Sequence, residues 1–306
     1  MLKSASNKSF HFIVHTKMTT RRTSTSVSKS TKRHKTKASA IITFTEVKEF
    51  KQFTKIIGNL ASEMELSISK EGIEISGVDR AHICSYHFEI TTKNPNLSIK
   101  TDKRYSIIVS TQTMNAILSD IKLNDKLKMV YNQNTETLSL KFTNIALAFD
   151  TVVIIPLIDI EFEKFIVPIE NTSVCISLHS EFFYETTKRL SNVSDVVNYE
   201  CIDQKDPNSP KMKFILSVGD GGATGMTMTK NDLSFTPLKN YNGKTIKCKY
   251  SLKYLKIFSE AKVFSEEMNF LFWDDETNSP ILCAYNFDGG KISFILAPQF
   301  QEEEEH

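Results

Sequence analysis

The sequence predicts an α+β protein with antiparallel sheets, built from one domain used twice. Three observations carry this. Segments rich in Ile, Val, Leu, Phe and Thr outnumber the helical ones. The same order of helices and hairpins occurs in residues 41–156 and again in 171–300. Between the copies, residues 157–170 carry the acidic Asp159, Glu161 and Glu163, and Pro168 there opposes a continuous helix.

In the first copy a helix is expected near 47–61, followed by a hairpin of 65–69 and 73–76. A strand at 106–109, a second helix at 111–121 and a second hairpin of 127–131 and 137–142 complete it. The second copy has a helix near 181–193, strands at 196–201 and 211–218, and a strand at 245–250 leading into a helix at 252–262. It closes on a hairpin of 269–273 and 281–285. The closing hairpins of the two copies are alike: one turns at Asn-Gln-Asn-Thr, the other at Asp-Asp-Glu-Thr.

Placing residues at 100° per position separates the helical faces. Phe50, Phe53, Ile57 and Leu60 fall on one side of the first helix, and Lys48, Lys51 and Lys55 on the other. The second packs Met114, Ile117, Leu118 and Ile121 and turns a neutral face outward, Gln112, Ala116 and Ser119. The third turns Phe183, Thr186, Leu190 and Val193 inward with Lys188 opposite. On the fourth, Leu255, Phe258 and Ala261 point inward, Lys256 lies opposite and Lys253 is on the flank. Any one of these lysines, taken alone, reads first as part of a solvated face. Three of four outward faces centred on lysine, with Glu185 and Glu260 close by, read as a surface for sequence-independent phosphate contact.

The charge balance sharpens that reading. The chain of 306 residues has a formal net charge of +2. Ten of its 38 Lys and Arg lie in residues 1–40, which contain no Asp or Glu, so 28 remain against 36 acidic residues, a net of −8 for the body. Residues 1–40 read as a basic, disordered extension. Its cluster Lys29, Lys32, Arg33, Lys35 and Lys37 fits a nuclear import signal or a DNA-touching arm. An acid-free, Ser-rich start also fits an organelle transit peptide. The expected location is the nucleus, or the site of viral DNA replication if the source is a virus.

Several classes are set aside. No run of 18 apolar residues exists, and 152–160 is too short for a membrane span. Five widely spaced cysteines without a Cys-x-x-Cys pair argue for reduced thiols, not a disulfide framework or zinc site. The glycines at 219, 221, 222 and 225 do not form a phosphate-binding loop. Asp274, Asp275 and Glu276 read as turn residues rather than metal ligands. His82 and His87 have no Cys or Asp at ligand spacing. The expectation is a protein without enzymatic activity, cofactor or metal.

Three motifs carry a family resemblance. Gly72-Ile73-Glu74-Ile75-Ser76-Gly77-Val78-Asp79-Arg80-Ala81-His82-Ile83 resembles the Gly-hydrophobic…Asp-x-x-His-hydrophobic stretch of eukaryotic and archaeal sliding clamps. Tyr250-Ser251-Leu252-Lys253-Tyr254-Leu255-Lys256-Ile257-Phe258 resembles their Phe-x-Leu-Arg/Lys-Tyr-Leu-x-x-Phe helix. Phe294-Ile295-Leu296-Ala297-Pro298, followed by the acidic tail 301–306, resembles their Tyr-Leu-Ala-Pro ending. The likeness runs in order over about 41–305, and the family is that of DNA sliding clamps of the proliferating-cell-nuclear-antigen type.

The resemblance implies a homotrimeric ring with helices lining a central hole and sheets outside. Double-stranded DNA, a DNA polymerase, a clamp loader and clients with PIP-box-like peptides would be its partners. It assigns DNA contact to Lys48, Lys51, Lys55, Lys188, Lys253 and Lys256. It assigns a client-peptide pocket to Val78, His82 and Ile83, to Phe165, Val167 and Pro168 in the connector 157–170, and to Pro280, Ile295, Ala297 and Pro298. It implies that the edge 138–142, continuing to 149, pairs with strand 222–229 of the next subunit. Departures from the family are the neutral second helix, the basic arm and the insert 204–210. They leave open a heterotrimeric checkpoint-type subunit, or a clamp-fold transcription or repair scaffold that does not encircle DNA.

Overall fold

The structure is a computed structural model that describes residues 15–17, 38–122, 125–144, 149–160, 172–204, 211–218, 224–229, 234–237, 246–273 and 279–299. A short strand β1, His15–Lys17, comes first. The first half then runs β2 Ala40–Phe44, α1 Lys48–Ile57, β3 Glu63–Ile68, β4 Gly72–Val78, β5 Cys84–Thr91 and β6 Leu97–Thr101. It ends with β7 Tyr105–Ser110, α2 Thr111–Ser119, β8 Lys126–Asn132, β9 Thr137–Asn144 and β10 Phe149–Pro156. The second half repeats the order: β11 Thr172–His179, α3 Ser180–Leu190, β12 Val196–Gln204, β13 Lys211–Val218, β14 Thr224–Thr229 and β15 Ser234–Pro237. It ends with β16 Ile246–Ser251, α4 Leu252–Ser259, a 3-10 turn at Glu260–Val263, β17 Glu267–Trp273, β18 Ile281–Phe287 and β19 Gly290–Leu296.

The repetition extends to the pairing. In the first half β10-β9-β8-β2-β6 are neighbours in one sheet; their counterparts β19-β18-β17-β11-β15 are neighbours in the second. Likewise β5-β4-β3-β7 matches β14-β13-β12-β16. The halves are joined because β19 pairs antiparallel with β5, from Gly290 opposite Ile90 to Leu296 opposite Cys84, giving one sheet of nine strands. The equivalent strands β10 and β14 do not meet each other in the chain; β14 is the edge of its four-stranded sheet.

The core follows the helical faces. Phe50, Phe53, Ile57 and Leu60 of the first helix and its following turn are buried, as are Met114, Leu118, Phe183, Leu190, Leu255, Phe258 and Ala261. Aromatic rings bind the halves together: Phe53 stacks on Phe88 at 4.1 Å, and Phe88 meets Phe287 at 5.9 Å and Phe264 at 6.2 Å. Helix α1 lies beside α2 and α3 beside α4, while the 3-10 turn packs against both α1 and α3. Local signals place the helix ends. Ser110 Oγ accepts the Thr113 N–H at the start of α2, and α3 carries Glu181 in its first turn and Lys188 and Arg189 in its last.

Three expectations are corrected. Helix α3 stops at Leu190, and Val193 is 64% exposed instead of packed inward. The Ser194 hydroxyl accepts the Val196 N–H, turning the chain away before another helical turn can form. Strand β9 is not a sheet edge: β8 flanks it on one side and β10 on the other. The edge of the body is therefore β10, and Leu140 is a fully buried core residue. Segments β2, β5, β6, β11, β15 and β19 are strands that the spacing of apolar residues does not single out. The insert 205–210, the turn 274–278 and the tail 301–306 lie outside the described residues.

Candidate functional site

Two surfaces gather the candidate residues. The first is the helical layer. Lys48 and Lys55 on α1, Lys188 on α3, and Lys253 and Lys256 on α4 are all exposed. The structure brings three of them together although they come from different halves. Lys55 and Lys256 line a concavity of about 200 Å³ with Gln52, Asn59 and Glu260. Lys256 and Lys253 line an adjoining hollow of about 410 Å³ with Ser191, Ser194 and Asp195. The first sets ammonium groups beside amides and the Glu260 carboxylate, the second beside hydroxyls, the Asn59 amide and the Asp195 carboxylate; the ammonium, amide and hydroxyl donors suit phosphate oxygens. Lys188 stands apart over the Tyr184 ring at 5.6 Å.

Lys51 behaves differently. It is half-buried, and its Nζ donates to the carbonyls of Ser119 at 2.9 Å and Ile121 at 2.7 Å. Those carbonyls close α2, which has no basic residue in its own last turn. The ammonium therefore satisfies orphan acceptors and opposes the negative end of the helix dipole. Lys51→Ala is expected to lower stability by about 1 kcal/mol, or about 2 °C in thermal unfolding, and to change DNA contact less than any of the exposed lysines.

The second surface lies where β4, β5 and β19 meet. Ser85 stands opposite Val78 on one side and opposite Ile295 on the other, so these residues form one row across the sheet. Leu282 extends the row opposite Ile295. The Ala297 N–H donates to the Ile83 carbonyl at 2.9 Å, which ties the β4–β5 turn to the C-terminal segment. Ile83 is 41% exposed, and His82, Ala297, Pro298 and Pro280 are exposed or half-buried around it. Ser85 and Leu282 are themselves buried, so what this surface presents is Val78, His82, Ile83, Pro280, Ile295, Ala297 and Pro298. Phe165, Val167 and Pro168 lie outside the described residues.

The turn between β4 and β5 is held by Asp79, which is 4% exposed. Its Oδ1 accepts the N–H groups of Ile83 at 2.9 Å and Cys84 at 2.8 Å, and its Oδ2 accepts that of Ala81 at 3.2 Å. The Tyr254 hydroxyl of α4 donates to Oδ2 at 2.6 Å. Three backbone donors on one carboxylate let His82 hold a positive φ of 57°. Burial, and then the hydrogen bond to Asp79, pushes the Tyr254 phenol well up, so it stays a donor. Burial also raises the Cys84 thiol, with Asp79 adding to it, which keeps that sulfur protonated. Asp79 and Tyr254 stand in the family-like motifs, but sequence reasoning gives neither a role. The available signal is an Asp two to five residues before a run of turn N–H groups.

Among the described residues no group of three or more His, Cys, Asp or Glu is placed to hold a metal ion, and no helix is long and apolar enough to cross a membrane. Cys84, Cys248 and Cys283 are buried and form no disulfide among the described residues.

No protein-family profile matches the chain. Its duplicated halves, helical layer and shared sheet define the sliding-clamp fold: the crystal structure of proliferating cellular nuclear antigen from Entamoeba histolytica superposes with a TM-score of 0.72 at 17% identity, covering 86% of this chain and all of that one. Sequence relatives agree. The DNA polymerase sliding clamp of Nanoarchaeum equitans is 24% identical over 263 residues, 84% of this chain and 98% of its own length. Proliferating cell nuclear antigen of Caenorhabditis elegans is 20% identical over 268 residues, 83% and 94% of the two chains. Over more than four fifths of its length the chain is thus similar in sequence and in fold to DNA sliding clamps of the proliferating-cell-nuclear-antigen type.

Proposed function

We propose that three copies of the chain close into a ring around duplex DNA and tether replication and repair proteins to it, as a polymerase processivity factor without chemistry of its own. The observation that carries this is the β19–β5 junction. Its strands have counterparts, β10 and β14, that are left without each other in the chain. Pairing β10 of one copy with β14 of the next repeats the internal junction, so three chains give six like seams. Heterologous contacts of this kind leave no free partner once the rotation closes. Carrying the internal register across, Thr151 would face Met226 of the neighbouring copy, with Asp150 opposite Thr227 and Val152 opposite Gly225.

In this reading the helical layer, with Lys48, Lys55, Lys188, Lys253 and Lys256, faces the phosphates, and the row Val78–Ser85–Ile295 lies on the outer wall. The nucleus is the proposed location. The decisive experiment loads the protein on circular duplex DNA. Retention until the circle is linearised supports encirclement; equal loss from circular and linear DNA overturns it. For the outer site, a peptide with a Gln-x-x-hydrophobic-x-x-aromatic-aromatic pattern is expected to bind at micromolar strength, about −8 kcal/mol. Ile83→Asp is expected to weaken that binding at least tenfold, about 1.4 kcal/mol, as read by calorimetry. An unchanged affinity would move the client site elsewhere.

A further inference from the structure

Strand β10 is an unusual edge. It reads Phe-Asp-Thr-Val-Val-Ile-Ile-Pro, and Ile154 is 56% exposed. Its inner side pairs with β9 over all eight residues, from Phe149 opposite Asn144 to Pro156 opposite Thr137. Its outer side is occupied by β1, with His15 opposite Val152, Thr16 opposite Thr151 and Lys17 opposite Asp150. A β-branched edge strand is a template for any extended segment, because its outward N–H and C=O groups lack partners. Here the chain's own basic arm supplies that segment.

We propose that residues 15–17 are an in-chain occupant of the β10 edge that competes with β14 of a second copy and so sets how readily the ring closes. The inference rests on the ring reading above. The two occupants exclude each other: Asp150, Thr151 and Val152 are the positions that β1 takes and the ones that Thr227, Met226 and Gly225 of a neighbour would take. One row of backbone groups serves one partner. The tether permits the exchange. Twenty residues separate β1 from Ala38, long enough to reach the edge without strain. An intramolecular strand held by such a linker competes at an effective concentration in the millimolar range. Charge favours return of the arm, since residues 1–40 are wholly basic and the body carries the acidic excess. The occupant is short: among the described residues β1 covers three of the eight positions of β10. Six strand positions and a second sheet can displace it when copies are abundant or when a loader presents them together.

The test uses the full chain. Thr16→Pro removes a backbone donor from β1 while leaving the body unchanged. Thr16→Cys combined with Thr151→Cys places thiols at opposed positions, and mild oxidation locks the arm down. The expected results are a 16–151 disulfide within single chains at submicromolar concentration, and trimer dissociation constants that fall at least threefold for the proline variant and rise at least tenfold for the locked one. Sedimentation velocity reads both. Absence of the 16–151 cross-link, or a locked chain that trimerises as readily as its reduced form, overturns the proposal. If neither reduced wild type nor the proline variant self-associates at all, the ring reading fails and the competition fails with it. Hydrogen exchange at 150–152 in wild type and proline variant then shows separately whether the strand pairing exists. A cross-link found only between chains also overturns the in-chain occupant.

Discussion

Ile154→Asp is expected to turn the associating protein into a folded monomer at tens of micromolar. Ile154 sits on β10, the outermost strand of the body in this sheet, covered there only by β1 among the described residues, and more than half of it meets solvent. In the single chain a carboxylate there keeps its water, so stability changes by no more than about 0.5 kcal/mol. In the proposed seam it would be buried without a partner, at a cost of about 3–5 kcal/mol. Each seam then weakens by roughly two to nearly four powers of ten. Light scattering and thermal unfolding together read the result: loss of mass with an unchanged unfolding transition. Leu140→Asp is the contrast. Leu140 is fully buried on β9, and a charge there unfolds the first half instead of separating copies. An Ile154→Asp protein that still forms trimers would place the interface on another edge.

Replacing Lys48, Lys55, Lys188, Lys253 and Lys256 together with Ala is expected to flatten the salt dependence of DNA binding and to abolish retention on circular DNA at physiological salt. Each phosphate that goes unneutralised takes about 0.9 from the slope of log K against log salt. If three phosphates lose their lysines, the slope falls by about 2.7, which is well within the resolution of a titration. All five side chains are exposed, so folding is little affected. Lys51 is left in place because its ammonium closes α2. A slope that does not move would show that this layer does not meet DNA. If removal of residues 1–37 then abolished binding, the arm would be the DNA element and a non-encircling scaffold the better account.

The helical faces and the hairpins are legible in the sequence because amphipathic spacing is local. Phe50, Phe53 and Ile57 recur on one side of α1, and no tertiary information is needed to see it. Strand β10 is not legible as a strand: five β-branched residues in a row carry no alternation, so the segment shows only as an apolar run. Without β10 in view, β9 looks like an edge. The angle of Lys51 on its helix points it outward, yet a four-carbon stem reaches from a flank to the carbonyls of a neighbouring helix. Spacing along one helix says nothing of that. The outer site is visible in the sequence only as three separate motifs. Ser85, the residue that aligns Val78 with Ile295, belongs to none of the predicted strands, and ladder register is a property of the folded sheet.

The junction between β19 and β5 has a mechanical consequence for the proposed ring. Of its six seams, three lie inside a chain and cannot separate without unfolding a sheet and parting the stacked rings of Phe88 and Phe287. The other three depend on concentration, because their strands belong to different molecules. The ring is thus a chain of three stiff segments with three gates, and an opening enzyme that grips any one chain can work only at its two ends. Loading and unloading of the proposed ring are then set at the β10–β14 seams, while the arc within each chain stays rigid.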